Sequence, residues 1–148
     1  MTGCDRSATK TCGPARTTLL LVGVVLGMVL LVGAVGSVAA GPDCGSVSYT
    51  DDDGVYLVET LDQLQCIGSQ GLGADYRLTV DIDASDTESW NGGDGFEPIE
   101  GFTGSFDGDG HSITGLYINR AGRVGMFGTG TGGDIENVNL VDVDVTGE

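Results

Sequence analysis

His111, within Asp107-Gly-Asp-Gly-His-Ser, is the single histidine of this 148-residue chain and the first candidate for chemistry. Asp107 and Asp109 beside it make up the kind of group that serves as a general base or a metal site. The same residues also make a tight corner, in which Asp and Gly turn the chain and the histidine packs outside; the corner is the preferred reading. Asp81, Asp83, Asp86 and Glu88 offer carboxylates of the sort Ca2+ takes, but the ion needs about six to eight oxygens. No EF-hand spacing is present, and the Gly92-Gly93-Asp94-Gly95 turn does not recur as a calcium-binding β-roll would require. Glycoside hydrolysis needs two carboxyls facing each other at a defined separation, and the acids here are too scattered to single out a pair. No nucleophile elbow, Cys/His pair or phosphate loop occurs. The expectation is no catalytic residue, no metal and no cofactor, with a weak Ca2+ site as the alternative.

Cysteine chemistry divides the chain by compartment. Cys4 and Cys12 fall in a basic leader with Arg6, Lys10 and Arg16, followed by an uncharged run from Thr17 to Pro42. That pattern reads as an export signal, with small residues Val38-Ala39-Ala40 placed for cleavage between Ala40 and Gly41. Leu19–Val35 is long for a cleaved signal, so a membrane anchor over residues 17–40 is the alternative. Either way the basic side stays inside and the rest is exported. Cys44 and Cys66 are then the pair left where oxidation is permitted, and a disulfide between them is expected. Zinc is disfavoured with so few ligands.

From Gly41 onward, three arginines and no lysine oppose 21 acids, within an overall charge of −16. So acidic a surface disfavours nucleic acid and anionic membrane as partners and suits a salt-rich medium, where counter-ions screen the repulsion. Membrane contact is expected only through the N-terminal segment.

The elements that must position these groups are short. Asp51-Asp52-Asp53-Gly54 reads as a turn between β-prone Val47–Thr50 and Val55–Val58. Thr60 and Gln63 have the spacing of a capping box, opening a two-turn helix that carries Cys66 and stops at Gly68. Tyr76–Ile82 alternates as one half-buried strand with Tyr76, Leu78, Val80 and Ile82 inward. Asp83–Gly95 reads as a polar excursion. Phe96, Phe102, Phe106 and Phe127 are expected to stack in a core, leaving Trp90 and Tyr117 as the exposed aromatics.

Gly104-Ser-Phe is echoed by Gly125-Met-Phe, and Ile113, Leu116 and Ile118 by Ile135, Val138 and Leu140, at offsets of 21 and 22. A unit of that length fits one supersecondary element stacked on its copy. Short strands with glycine corners and no helical period indicate a β-solenoid. On that period the chain stops where a further Gly-x-Phe would begin, leaving an open last coil.

Tyr76-Arg-Leu-Thr-Val-Asp-Ile-Asp-Ala, Gly95-Phe-Glu-Pro-Ile, Phe102-Thr-Gly-Ser-Phe-Asp-Gly-Asp-Gly-His-Ser-Ile-Thr-Gly-Leu-Tyr-Ile-Asn and Val124-Gly-Met-Phe-Gly resemble the GLUG-repeat surface proteins. These include filamentous-haemagglutinin-like adhesins, and the acidic, lysine-free part looks most like versions from salt-loving archaea. The resemblance spans about Leu57–Gly147. It departs at Glu100 and Asp109, where Gly and Asn are commoner, and at Met126, where Leu is usual. The resemblance implies an all-β fold, a short right-handed parallel β-helix, and a scaffold or adhesive role without catalysis.

Together these readings give three regions: residues 1–40 as signal or anchor, 41–74 as a small helix and disulfide cap, and 75–148 as β-helix repeats incomplete at the C-terminus. The expected protein is a secreted or cell-surface, non-catalytic structural or adhesive module. Its expected partners are a surface glycan or protein, with self-association at the open C-terminal coil. A carbohydrate-active enzyme or its binding appendage, or a fragment of a longer surface protein, is the alternative.

Overall fold

The computed structural model describes residues 39–148 except 123, 131 and 148, so the leader with Cys4, Cys12 and residues 17–38 lies outside the described residues. The described part is largely β, with two short helices. β1 (Thr50–Asp52) and β2 (Val55–Val58) form an antiparallel hairpin. Its two-residue loop is Asp53-Gly54, both at positive φ (53° and 88°), the backbone that matches the twist of a tight hairpin. Asp51 and Asp52 therefore belong to the strand, and of Val47–Thr50 only Thr50 does.

The capping box forms as expected. The Gln63 N–H donates to Thr60 Oγ1 at 3.2 Å, and the Thr60 N–H donates to Gln63 Oε1 at 3.1 Å. It starts α1 (Leu61–Gln65), and α2 (Ile67–Gln70) follows after Cys66. Gly68 does not stop the helix, which continues to Gln70 and is capped at Gly71. Leu64 and Ile67 are fully buried. The Cys44–Cys66 disulfide, with Cα atoms 5.3 Å apart, ties the segment before β1 to the joint between the helices.

Tyr76–Ile82 is two strands rather than one: β3 (Asp75–Leu78) and β4 (Ile82–Asp83), in different sheets. The chain turns a corner at 79–81, where the Thr79 N–H donates to Val58 O at 3.2 Å. That corner throws Val80 outward, 40% exposed, against the alternation. The excursion after β4 contains 3-10 turns at Ser85–Ser89 and Asn91–Gly93. It folds Trp90 inward to 7% exposure, so Trp90 is not an exposed aromatic; Tyr117 is half-buried.

Six further strands complete the fold: β5 (Ser105–Asp107), β6 (Ser112–Thr114), β7 (Tyr117–Arg120), β8 (Asp134–Glu136), β9 (Asn139–Val141) and β10 (Asp144–Gly147). They align in three sheets ordered β1-β2-β3-β5-β8, β4-β6-β9 and β7-β10. Every pairing except β1 with β2 is parallel. Equivalent inward positions line up across strands as Tyr56, Tyr76, Phe106, Ile135; as Ile82, Ile113, Leu140; and as Ile118, Val145. The core runs along these rows and takes in Phe96, Phe102, Leu116 and Met126.

These registers correct the repeat length. Phe106 pairs with Ile135 and Ile113 with Leu140, so successive layers are 29 and 27 residues apart, not 21 or 22. The echoed apolar triplets are local corners. In Ile113–Ile118, Gly115 turns the chain at φ 72°; in Ile135–Leu140, Asn137 does so at φ 55°. The first corner joins β6 to β7 and the second joins β8 to β9, so the echo matched two different corners of successive turns. Phe127 occupies a connection and bridges Ile99.

Candidate functional site

The structure pairs the His111 imidazole with Asp81 rather than with Asp107 or Asp109. Its Nδ1 lies 3.4 Å from Asp81 Oδ1, across to the neighbouring layer. The same carboxylate oxygen accepts the Ser112 N–H at 2.8 Å. That backbone bond, helped by His111, holds the Asp81 carboxyl below its ordinary range. The pair sits at a corner, with the imidazole one-third exposed and the aspartate side chain 76% exposed.

Asp107 has different company. Its Oδ1 accepts from Asn137 Nδ2 at 3.0 Å and from the Asp109 N–H at 2.9 Å, while Arg77 Nε stands 3.9 Å from Oδ2. The Asn137 amide and the Asp109 N–H lower its carboxyl pKa, with Arg77 adding to the effect. Asp109 is exposed and takes up a φ of 46°, a turn position. In the other acidic group, Asp83 is occupied with Ser85, whose hydroxyl and N–H lower its pKa. Asp86 and Glu88 lie on the exposed face of the 3-10 turn. Among the described residues, no three His, Cys, Asp or Glu side chains converge as a metal would require.

Glu100 is marked in the sequence only as a departure from the family pattern, not as a functional residue. Its Oε2 accepts from the Thr129 hydroxyl at 2.6 Å and from the Thr129 N–H at 2.9 Å, both of which lower its pKa. Arg120 was not singled out either: its Nε donates to Phe96 O at 3.2 Å and Nη2 to Gly95 O at 3.4 Å. Asp75 with Ser105, Asp81 with Ser112, Glu100 with Thr129 and Asp107 with Asn137 are 30, 31, 29 and 30 residues apart. These acids fasten one layer to the next. The sequence carried the signal only to a reader who already had a period near 30.

A cleft of about 430 Å3 opens beside the disulfide, between Pro42, Gln65, Asn91 and Glu97. Its central polar group is committed, since Gln65 Nε2 donates to Glu97 O and Gln65 Oε1 accepts the Glu97 N–H, each at 2.8 Å. At the bottom of the helical cap, burial pushes the Tyr76 hydroxyl up to about 12. That hydroxyl donates to Gly71 O at 2.9 Å. None of these groups forms an acid–base pair aimed at a common point.

The feature that departs most from an ordinary surface is the last layer. Ile135, Leu140, Val141, Val143 and Val145 are 39–48% exposed, whereas Phe106, Ile113 and Ile118, which pair with Ile135, Leu140 and Val145, are 0% exposed. No helix among the described residues is long and apolar enough to cross a membrane.

Comparison with known proteins gives two relatives. Over 102 residues the chain is 52% identical to halomucin of Haloquadratum walsbyi, an alignment covering 64% of this chain and 1% of that protein. Over 101 residues it is 36% identical to a protein of Evansella cellulosilytica named as a Gly-rich membrane protein, covering 63% of this chain and 12% of the relative. The chain thus spans a small part of both. No family model and no solved structure matches it.

Proposed function

We propose that this chain is an exported, non-catalytic structural or adhesive module of a cell surface, built as a short parallel β-helix of the GLUG-repeat kind. The coarse statement, a surface or membrane-associated protein, follows from the likeness to halomucin and to the Gly-rich membrane protein. The observation that supports the finer one is the parallel register beyond the β2–β3 pair, in which Phe106 adds to Tyr76, Ile113 to Ile82 and Ile135 to Phe106, each about 30 residues later. A stack of this kind gains length by repetition and presents outward faces of polar side chains, which suits a spacer or binding wall. The acidic surface suits a salt-rich exterior. Export would proceed through residues 1–40, by cleavage between Ala40 and Gly41 or with residues 17–40 kept as an anchor. The ligand class proposed is a surface glycan or protein, bound on an outward strand face without a cofactor.

The test is to display the full chain on cells in high salt, locate it by protease shaving, and screen it against glycans and cell-envelope fractions. The expected result is shaving from intact cells, with adhesion that declines gradually as outward residues such as Arg77, Asn119 and Asp134 are changed. Turnover of a polysaccharide, abolished by neutralising one particular acid pair, would instead establish a carbohydrate-active enzyme.

A further inference from the structure

We propose that Asp94, Asn119 and Arg120 form a binding site for a carboxylated sugar, the uronate unit of an acidic surface polysaccharide. The inference rests on the surface-module reading above and names the chemistry of its ligand. With Ala121, these three residues line an open hollow of about 550 Å3 on the flank of β7. That volume falls in the range of small-molecule sites, about 300–1,000 Å3. Both edges of β7 are occupied. β10 pairs with one, and residues 94–96 cover the other, where the Asn119 N–H donates to Asp94 O and the Phe96 N–H to Tyr117 O, each at 2.9 Å. The hollow therefore opens sideways, whatever chain stacks beyond β10.

Arg120 selects the charge of the ligand. It is half-buried, and its Nε and Nη2 donate to the carbonyls of Phe96 and Gly95. Those bonds fix the plane of the guanidinium and use two of its five N–H donors. Gly95 permits the arrangement: it lies at φ 79°, and a Cβ there would collide with the Tyr117 carbonyl. The chain has 22 acids to 6 basic residues, yet among the described residues no carboxylate pairs with Arg120. A guanidinium held in place with donors unspent matches an incoming carboxylate through a planar fork.

Asp94 and Asn119 select what carries that carboxylate. Both are exposed. An acid beside the arginine repels additional negative charge, so phosphate or a run of acidic residues fits poorly. The same acid accepts sugar hydroxyls, and the amide both donates to them and accepts from them. A uronate brings one charge and several hydroxyls on a single ring. The overall charge of −16 repels an acidic polymer in dilute buffer. Near 1 M salt the screening length is about 3 Å, which removes that long-range repulsion and spares direct contacts.

The experiment is equilibrium dialysis of a fluorescently labelled glucuronic acid oligomer against the full chain, in non-ionic detergent and multimolar KCl. The matched neutral glucose oligomer and an oligoglutamate peptide are compared, and far-UV circular dichroism is recorded for each variant. The expected result is saturable binding of the uronate oligomer, with the other two at least about tenfold weaker. Arg120→Lys and Arg120→Gln should weaken it at least about tenfold. Asp94→Ala and Asn119→Ala should each weaken it several-fold, the loss of one net hydrogen bond. Asp52→Asn, on the hairpin edge, should leave it intact. Should the Arg120 variants lose their β signal, Asp94→Ala and Asn119→Ala decide alone. Tighter binding in Asp94→Ala marks a bare anion site and overturns the sugar. Equal binding of the neutral oligomer or of the peptide overturns the uronate. No binding by a β-rich chain overturns this site and leaves the surface-module reading standing, whereas shortening of the oligomer overturns the non-catalytic reading beneath it.

Discussion

Phe106 lies in parallel register with Ile135 and only presents its ring to Phe127, at a centroid distance of 5.3 Å and an interplanar angle of 60°. One residue thus has two neighbours of different kinds, one along the sheet and one across the core. Phe127 also meets Phe102 at 5.0 Å, and Phe102 meets Tyr76 at 6.1 Å, so an aromatic chain runs from the cap toward the open layer. Layers stacked through strand edges need their backbones close together, and the predictions begin there.

Gly104→Ala should destabilise the fold by about 1–3 kcal/mol, the range for forcing extra volume into a packed site. A Cβ at Gly104 would collide with the Ala74 carbonyl oxygen on the neighbouring layer. Gly54→Asn is the control, because its added Cβ meets nothing within 4 Å and Asn tolerates the left-handed backbone. Urea unfolding monitored by Trp90 fluorescence would show the difference; equal midpoints for the two variants would contradict the close approach.

Reduction of Cys44–Cys66 should lower stability by about 2–4 kcal/mol, chiefly by loosening constraint on the unfolded chain. The bond spans a sequence separation of 22. Cys66 is 2% exposed, so Cys66→Ser adds a poorly satisfied buried hydroxyl, and Cys44→Ser should be the milder of the two. Thermal melts with and without reductant check both statements.

Acid should unfold the protein through its hydrogen-bonded carboxylates, three of which (Asp81, Glu100 and Asp107) bridge layers while Asp83 holds the Ser85 corner. Asp81, Asp83, Asp107 and Glu100 all have folded pKa values held below their ordinary 3.8 and 4.5. A depressed folded pKa means stability is present above the unfolded value and disappears as pH falls through the folded one. The loss therefore begins near pH 4.5 and deepens below 3.8. Protonation also relieves the repulsion within a chain of charge −16. Measured in high salt, where that repulsion is already screened, the acid limb stands out. Asp107→Ala should flatten it; an unchanged limb would remove Asp107 from the account.

Ala39 carries a fourth prediction. The Asn91 N–H donates to Ala39 O at 3.0 Å, and Ala39 bridges Trp90. A chain beginning at Val38 should therefore be more stable than one beginning at Gly41 by about 0.5–1.5 kcal/mol, one net hydrogen bond. Trp90 emission should shift to the red in the shorter chain. N-terminal sequencing of the exported protein then decides which form the cell keeps.

The residues by themselves determined the local features. Thr60 and Gln63 specified a helix start because a capping box is closed within four residues. Cys44 and Cys66 were the pair left after the leader, and the glycine-punctuated short strands specified a β-rich stack. Tertiary structure decided the period, because the Ile113–Ile118 and Ile135–Leu140 corners look alike locally and differ only in which sheets they join. It decided that Val80 turns out and Trp90 turns in, since alternation says nothing of a corner. It also decided the partners of Asp81, Glu100 and Asp107, each bonded to a residue 29–31 positions away. Sequence records neighbours along the chain; these carboxylates meet their donors only when one layer is laid upon another.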